Sequence, residues 1–206
     1  MSRFRALLFL LMPACVVTVL AAASGTISLK VIGAANPGEM SITWTDSSPD
    51  ADGYKIERKR HWNDLWEVVG IVPGNAKGFA DAGLIDGVSY WYQIRAVSNL
   101  AGDSTASLAQ MGWTLPKAPT RLSASAVAAD QVNLRWTDNS SAREWFEIWR
   151  GTADGNGIVL IGQSTSADYT DLTTAASTNY TYKIRAHVEP DINSLWTTVT
   201  VRTPAN

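Results

Sequence analysis

The chain writes one pattern twice. Residues 90–97 read Tyr-Trp-Tyr-Gln-Ile-Arg-Ala-Val, and residues 180–187 read Tyr-Thr-Tyr-Lys-Ile-Arg-Ala-His. Upstream, Met40-Ser-Ile42-Thr-Trp44-Thr-Asp46 matches Val132-Asn-Leu134-Arg-Trp136-Thr-Asp138, and Tyr54-Lys-Ile56-Glu-Arg58 matches Phe146-Glu-Ile148-Trp-Arg150. These pairs, with Gly70 and Gly162, share a shift of 92 (Trp44 to Trp136). Phe79-Ala-Asp81 and Tyr169-Thr-Asp171 are 90 apart, like Tyr90 and Tyr180, so a turn between Gly162 and Tyr169 is two residues shorter in the second copy. Self-similarity of this kind means one structural unit built twice, which constrains the fold more than any other feature of the chain.

The period inside each copy is two. In both Tyr-x-Tyr segments Tyr, Tyr, Ile and Ala fall on alternate positions, the signature of a half-buried strand. Short alternating runs punctuated by Gly, Pro, Asn and Asp predict strands over 27–32, 40–45, 54–60, 66–71, 78–81, 89–98 and 107–113. The second copy predicts them over 121–127, 131–136, 145–150, 158–164, 167–171, 179–188 and 195–202. No run sustains a helical period. Seven short strands per copy predict an all-β chain of two tandem immunoglobulin-like sandwiches, 24–115 and 120–206. Two of the four residues of the connector 116–119, Pro116-Lys117-Ala118-Pro119, are proline, which makes it short and stiff.

The N-terminus predicts export. Arg3 and Arg5 precede an apolar run over 6–20, and Ala21-Ala22-Ala23 supplies small residues for cleavage, so 1–23 reads as a signal peptide cut near Ala23. The expected address is extracellular or periplasmic. If retained, 6–23 is long enough to span a bilayer, and Cys15 lies in a segment that loosely resembles a lipoprotein box; membrane contact is expected only in those cases. Cys15 is the only cysteine, so the cleaved chain has no disulfide and depends on its core.

Both copies resemble fibronectin type III domains. The resemblance rests on a Trp late in the second strand (Trp44, Trp136), an aromatic-x-Ile pair in the third (Tyr54 and Ile56, Phe146 and Ile148), and Tyr-x-Tyr-x-Ile-x-Ala in the sixth. Leu84, six residues before Tyr90, also fits; the second copy has Thr174 there, with Leu172 nearby. The resemblance implies that Tyr90 and Tyr180 form tyrosine corners, in which the hydroxyl bonds back to nearby backbone. It implies no integrin-type recognition, because the loops after the sixth strands contain no Arg-Gly-Asp.

Catalysis finds no residues to carry it. Only His61 and His187 are present, with no Gly-rich phosphate loop and no nucleophile elbow, so no enzyme and no cofactor is expected. Asp50-Ala-Asp52-Gly53 and Asp154-Gly-Asn156-Gly157 superficially resemble calcium loops but lack the distal Glu, and read as turns; no metal is expected. A formal net charge of -2 argues against nucleic acid.

The nine Trp carry what remains. Trp44 and Trp136 belong to the cores. With Phe146 and Ile148 inward, Trp145 and Trp149 point outward, beside Thr181, Lys183, Arg185 and His187 of the sixth strand. That face is either a platform for sugar rings or a partner's apolar patch, or it is closed by cations lying over the indoles. In the first copy His61, Trp62 and Trp66 flank a hairpin tip at Asn63-Asp64, and Trp91 points outward near Lys55 and Glu57. Trp196 opens the last strand, on no assignable face. The candidate binding residues are therefore Trp145, Trp149, Arg185, His61, Trp62, Trp66 and Trp91. The expected role is a secreted or cell-surface, non-enzymatic spacer or protein-interaction and adhesion module. The alternative is a carbohydrate-binding accessory protein, as the resemblance to modules found beside polysaccharide-degrading enzymes implies. The expected partner is a protein or a polysaccharide at the cell surface.

Overall fold

The computed structural model describes residues 26–33, 36–47, 51–99, 102–152 and 157–205. The signal peptide, Cys15, and Asp50, Asp154 and Asn156 of the acidic turns lie outside the described residues. Among the described residues there is no helix.

The first sandwich is made of β1 (Ile27–Gly33), β2 (Met40–Asp46), β3 (Gly53–Lys59), β4 (Glu67–Pro73), β5 (Gly78–Asp81), β6 (Ser89–Ser98), β7 (Gly102–Asp103) and β8 (Gln110–Trp113). One sheet has the order β1-β2-β5; the other runs β4-β3-β6, with β7 and β8 sharing the outer edge of β6. The second sandwich repeats this with β9 (Thr120–Ala128), β10 (Gln131–Thr137), β11 (Trp145–Thr152), β12 (Val159–Ser164), β13 (Asp168–Asp171), β14 (Asn179–Val188), β15 (Ile192–Asn193) and β16 (Thr197–Arg202). Its sheets are β9-β10-β13 and β12-β11-β14, with β15 and β16 on β14. Every pairing is antiparallel.

Each sandwich encloses its own core. Met40, Ile42, Trp44, Tyr54, Ile56, Tyr90, Tyr92, Ile94 and Ala96 are buried together in the first. Val132, Leu134, Trp136, Phe146, Ile148, Tyr180, Tyr182, Ile184 and Ala186 take the same places in the second. The core indoles meet the third-strand aromatics edge-on, Trp44 on Tyr54 at 5.2 Å and Trp136 on Phe146 at 5.1 Å, the geometry the ring quadrupoles favour. The repeated glycines also have a reason. A Cβ on Gly70 would come within 2.6 Å of the Phe79 ring, and one on Gly162 within 2.5 Å of the Tyr169 hydroxyl, so each aromatic of the facing sheet needs a bare backbone opposite it.

Both tyrosine corners form. Tyr90 Oη accepts from Ile85 N at 3.1 Å, and Tyr180 Oη from Ala175 N at 2.9 Å. The next inward tyrosine has a partner that the sequence did not show. Tyr92 Oη donates to Asp81 at 2.7 Å and Arg58 reaches the same carboxylate at 2.8 Å; Tyr182, Asp171 and Arg150 repeat this at 2.8 and 2.6 Å.

The seventh strand departs from expectation. It starts at Gln110 and Thr197 rather than at 107 and 195, after a separate two-residue piece in each copy. Serine hydroxyls explain the break. Ser104 Oγ accepts from Ala96 N and Ser107 Oγ from Ile94 N, while their own N–H groups donate to Ala96 O and Ile94 O. Ser194 does the same for Ala186. The side chain takes the place of a carbonyl, so β6 and β14 keep their hydrogen bonds where the neighbouring backbone leaves the ladder.

Candidate functional site

The outer face of β3, β6 and β8 in the first sandwich, with the hairpin after β3, brings three of the seven candidate residues, Trp62, Trp66 and Trp91, beside one lysine, and His61 into the hairpin turn. The short segment after β3 turns back tightly: His61 N donates to Asp64 Oδ2 at 2.7 Å, and Asp64 N donates to His61 O at 3.1 Å. This turn brings Trp62 and Trp66 to either side of Lys59, whose ammonium lies 4.9 Å from each ring centroid and donates to Trp62 O at 2.9 Å. Trp91 stands opposite Lys59 in the β3–β6 register, and Met111 opposite Trp91. Directly opposed residues share a face, so Met111, Trp91, Lys59 and the two hairpin indoles form a continuous row. The register corrects the expectation that Trp91 lies next to Lys55 and Glu57: these oppose Arg95 and Gln93, with Glu57 only diagonal to Trp91. Trp62 is 78% exposed, His61 is exposed, and Trp66 and Trp91 are half-buried. One row further along, Glu57 takes Gln93 and Arg95, and Lys55 pairs with Asp103, so that part of the face is internally paired.

The corresponding face of the second sandwich is arranged differently. Trp145 opposes His187 and Trp149 opposes Lys183, as the alternation predicts. His187, expected to face solvent, is buried because Trp145 stacks on it at 4.3 Å, and its Nδ1 meets Asn193 Oδ1 at 2.9 Å. Glu147 is the hub: Arg185 Nε donates to it at 2.8 Å and Trp149 Nε1 at 3.1 Å. Arg185 lies 4.5 Å over Trp196, and Trp196 meets Trp149 edge-on at 5.9 Å. The cation thus covers Trp196 rather than Trp145 or Trp149. No periodicity places Trp196, because it precedes β16 and its direction is set by the break after β15.

Between the sandwiches lies a constellation the sequence did not advertise. Asp86, in the turn before β6, is only 3% exposed. Its carboxylate accepts from Ser140 Oγ at 2.6 Å, Ser141 Oγ at 2.7 Å, Ser141 N at 3.3 Å and, in the connector, Lys117 N at 3.2 Å. Burial alone would raise its pKa; the two serine hydroxyls and two amide N–H groups outweigh this and hold it below the usual value. Next to it Gly87 has φ +67°, and a Cβ there would come within 3.0 Å of Ala142 and 3.1 Å of Val188. Asn139 Nδ2 donates to Ala118 O at 2.8 Å and Thr197 donates to Pro119 O, tying the connector to the second sandwich. Asp-Gly is ordinary turn composition, so only the folded chain shows what this pair holds.

Among the described residues no three His, Cys, Asp or Glu side chains gather where they would hold a metal ion. Asp52, the described member of the first acidic turn, is engaged by Asn99 N at 2.7 Å.

Comparison with solved structures decides the fold. A two fibronectin type-III domain segment from chicken tenascin superposes with a TM-score of 0.62 at 15% identity, covering 87% of this chain and all 100% of that one. Each half has the fibronectin type III fold. The chicken CNTN1 FN1-FN3 domains match at TM-score 0.41 and 16% identity, over 89% of this chain and 69% of that one. No family model matches this chain. Among curated proteins it is similar to Exoglucanase B of Cellulomonas fimi, 27% identical over 190 residues that cover 84% of this chain. The chain spans only 16% of that relative's length.

Proposed function

We propose that this chain is an exported, non-catalytic module whose two fibronectin type III domains act as a spacer of fixed geometry in a polysaccharide-processing setting outside the cell. The observation that carries the reading is the joint. A buried carboxylate of the first domain takes two hydroxyls and an amide from the second and one amide from the connector, which leaves little rotational freedom between the domains. Inter-domain motion is the default for small interfaces, so a keyed joint of this kind supports a role in which the angle matters. The similarity to a portion of an exoglucanase supports the setting, and the predicted leader 1–23 supports export.

Small-angle scattering of the full chain tests the spacer. The wild-type curve should be fitted by one inter-domain arrangement, and Asp86→Ala should require a broadened set. A wild-type curve that already demands many angles would sink the reading. N-terminal sequencing of material collected outside expressing cells tests export, with Ser24 expected as the first residue.

A further inference from the structure

We propose that the Trp62 hairpin of the first domain is a contact site for a neutral polysaccharide chain. This goes beyond the spacer reading and does not depend on the joint. In the second domain the exterior indoles are engaged: Trp145 on His187, Trp149 on Glu147, and Trp196 under Arg185. The first domain leaves its outermost indole mostly in solvent, with only the Lys59 ammonium lying against its ring. Trp62 is 78% exposed, and Leu65 beside it is 90% exposed.

The hairpin is held in place before any ligand arrives. The His61–Asp64 turn fixes the backbone, and Lys59 both donates to Trp62 O and packs between the Trp62 and Trp66 rings. An indole fixed in this way loses little freedom on binding. The surrounding chemistry selects the ligand. Counting Arg58, which pairs with both Glu67 and Asp81, the cations Arg58, Lys59 and Arg60 equal the acids Asp64, Glu67 and Asp81 in number, so the tip presents no net charge to a polyanion. Lys59 is occupied by the rings, Asp64 by His61 N, and Glu67 by Arg58. Among the described residues the His61 ring and the Asn63 amide have no partner, and both side chains can hydrogen-bond hydroxyls. A pyranose presents an apolar C–H face and a rim of hydroxyls; the indole takes the face, and Asn63 and His61 take the rim. Trp62 and Leu65, 78% and 90% exposed, stand in solvent rather than lining a pocket, whereas aromatic anchors between proteins centre on desolvated pockets. The row through Trp91 to Met111 gives a chain more surface to follow across the sheet.

The test is affinity electrophoresis of the full-length mature chain in gels containing hydroxyethylcellulose, xylan or polygalacturonate, with depletion by insoluble cellulose alongside. Retardation is expected on at least one neutral polysaccharide and about tenfold weaker on the polyanion. Trp62→Ala should weaken neutral binding by at least about tenfold, Asn63→Ala by less, while Trp196→Ala and Asp86→Ala should bind as the wild type does. Trp62 is exposed, so its variant should melt with the wild type; if it does not, Asn63→Ala and protection of fluorescence from iodide quenching by the glucan decide the matter. No binding to any neutral polysaccharide, equal binding by Trp62→Ala, or equal binding of the polyanion overturns the proposal, as does a hairpin that binds only protein. Because Asp86→Ala is expected to change scattering and not retardation, failure of either reading leaves the other standing.

Discussion

Asp171 is a carboxylate with 2% exposure that stays charged because its neighbours replace water. Burial would raise its pKa, but the Thr173 hydroxyl at 2.7 Å and amide at 3.0 Å, the Tyr182 hydroxyl and the Arg150 guanidinium hold it below the ordinary value of 3.8. Burial and the same carboxylate push the Tyr182 phenol up. A carboxyl whose pKa is lower folded than unfolded stabilises fully above the unfolded value, and that contribution fades as pH falls through the folded one. Thermal melts of Asp171→Asn should therefore show a shallower loss of stability below pH 3.8 than the wild type. At neutral pH the variant should be about 3–5 kcal/mol less stable, because Arg150 is left without its buried partner; a variant with the wild type's acid slope would refute this. Trp136→Ala should cost about 3–5 kcal/mol through loss of the core indole, whereas Trp196→Ala, on the surface, should cost much less in the same melts. The core roles of Trp136 and Tyr182 could be read from alternation alone. The Tyr–Asp–Arg contact could not, because Arg150 and Asp171 come from different sheets and meet only once the sandwich closes.

At the scale of the element, six of the seven strands in each copy were legible because their side chains alternate over most of their length, with only single-residue irregularities such as those at Ile56/Glu57 and Ile148/Trp149. The seventh was not, because its pairing runs through side chains. Residues 104–109 leave the β6 ladder, yet Ser104 and Ser107 still satisfy the amides of Ala96 and Ile94. Serine in a loop looks the same in sequence whether its hydroxyl faces water or replaces a carbonyl. Ser194 is buried and serves Ala186, itself fully buried, so Ser194→Ala leaves an amide with no acceptor. The expected loss is about 1–3 kcal/mol in urea denaturation, with faster hydrogen exchange at Ala186 than at Ile184. Unchanged exchange at Ala186 would show that the backbone closes the gap unaided. The register also explains why the aromatic residues sorted as they did. One face gathers its indoles around Lys59, which pairs with no acid among the described residues; the other gathers Trp149 and, through Arg185, Trp196 around Glu147.

For the whole molecule, the two copies of one turn give an internal control. Gly87 corresponds to Ser177 at the 90-residue shift, and both have positive φ, +67° and +53°. The second domain therefore tolerates a side chain in this conformation, at the modest strain such a φ imposes. At Gly87 the space is also taken, by Ala142 and Val188 of the second domain. Gly87→Ala should consequently act on the joint more than on the fold of the first domain. Its first domain should melt within about 1–2 kcal/mol of the wild type, the scale of a non-glycine residue at such a φ, while scattering shows the domains splayed. Acid should do reversibly what the methyl group does permanently. The Asp86 pKa lies below its usual value, so its bonds to Ser140, Ser141 and Lys117 hold at neutral pH and are lost as pH falls below 3.8 through the folded pKa. Wild-type scattering should then move toward the Gly87→Ala curve in acid while far-ultraviolet circular dichroism still reports intact sandwiches, and Asp86→Asn should show no such acid-dependent movement. A wild-type joint that keeps one geometry until both sandwiches unfold would mean that packing of Pro116, Ala142 and Val188 sets the angle without the carboxylate.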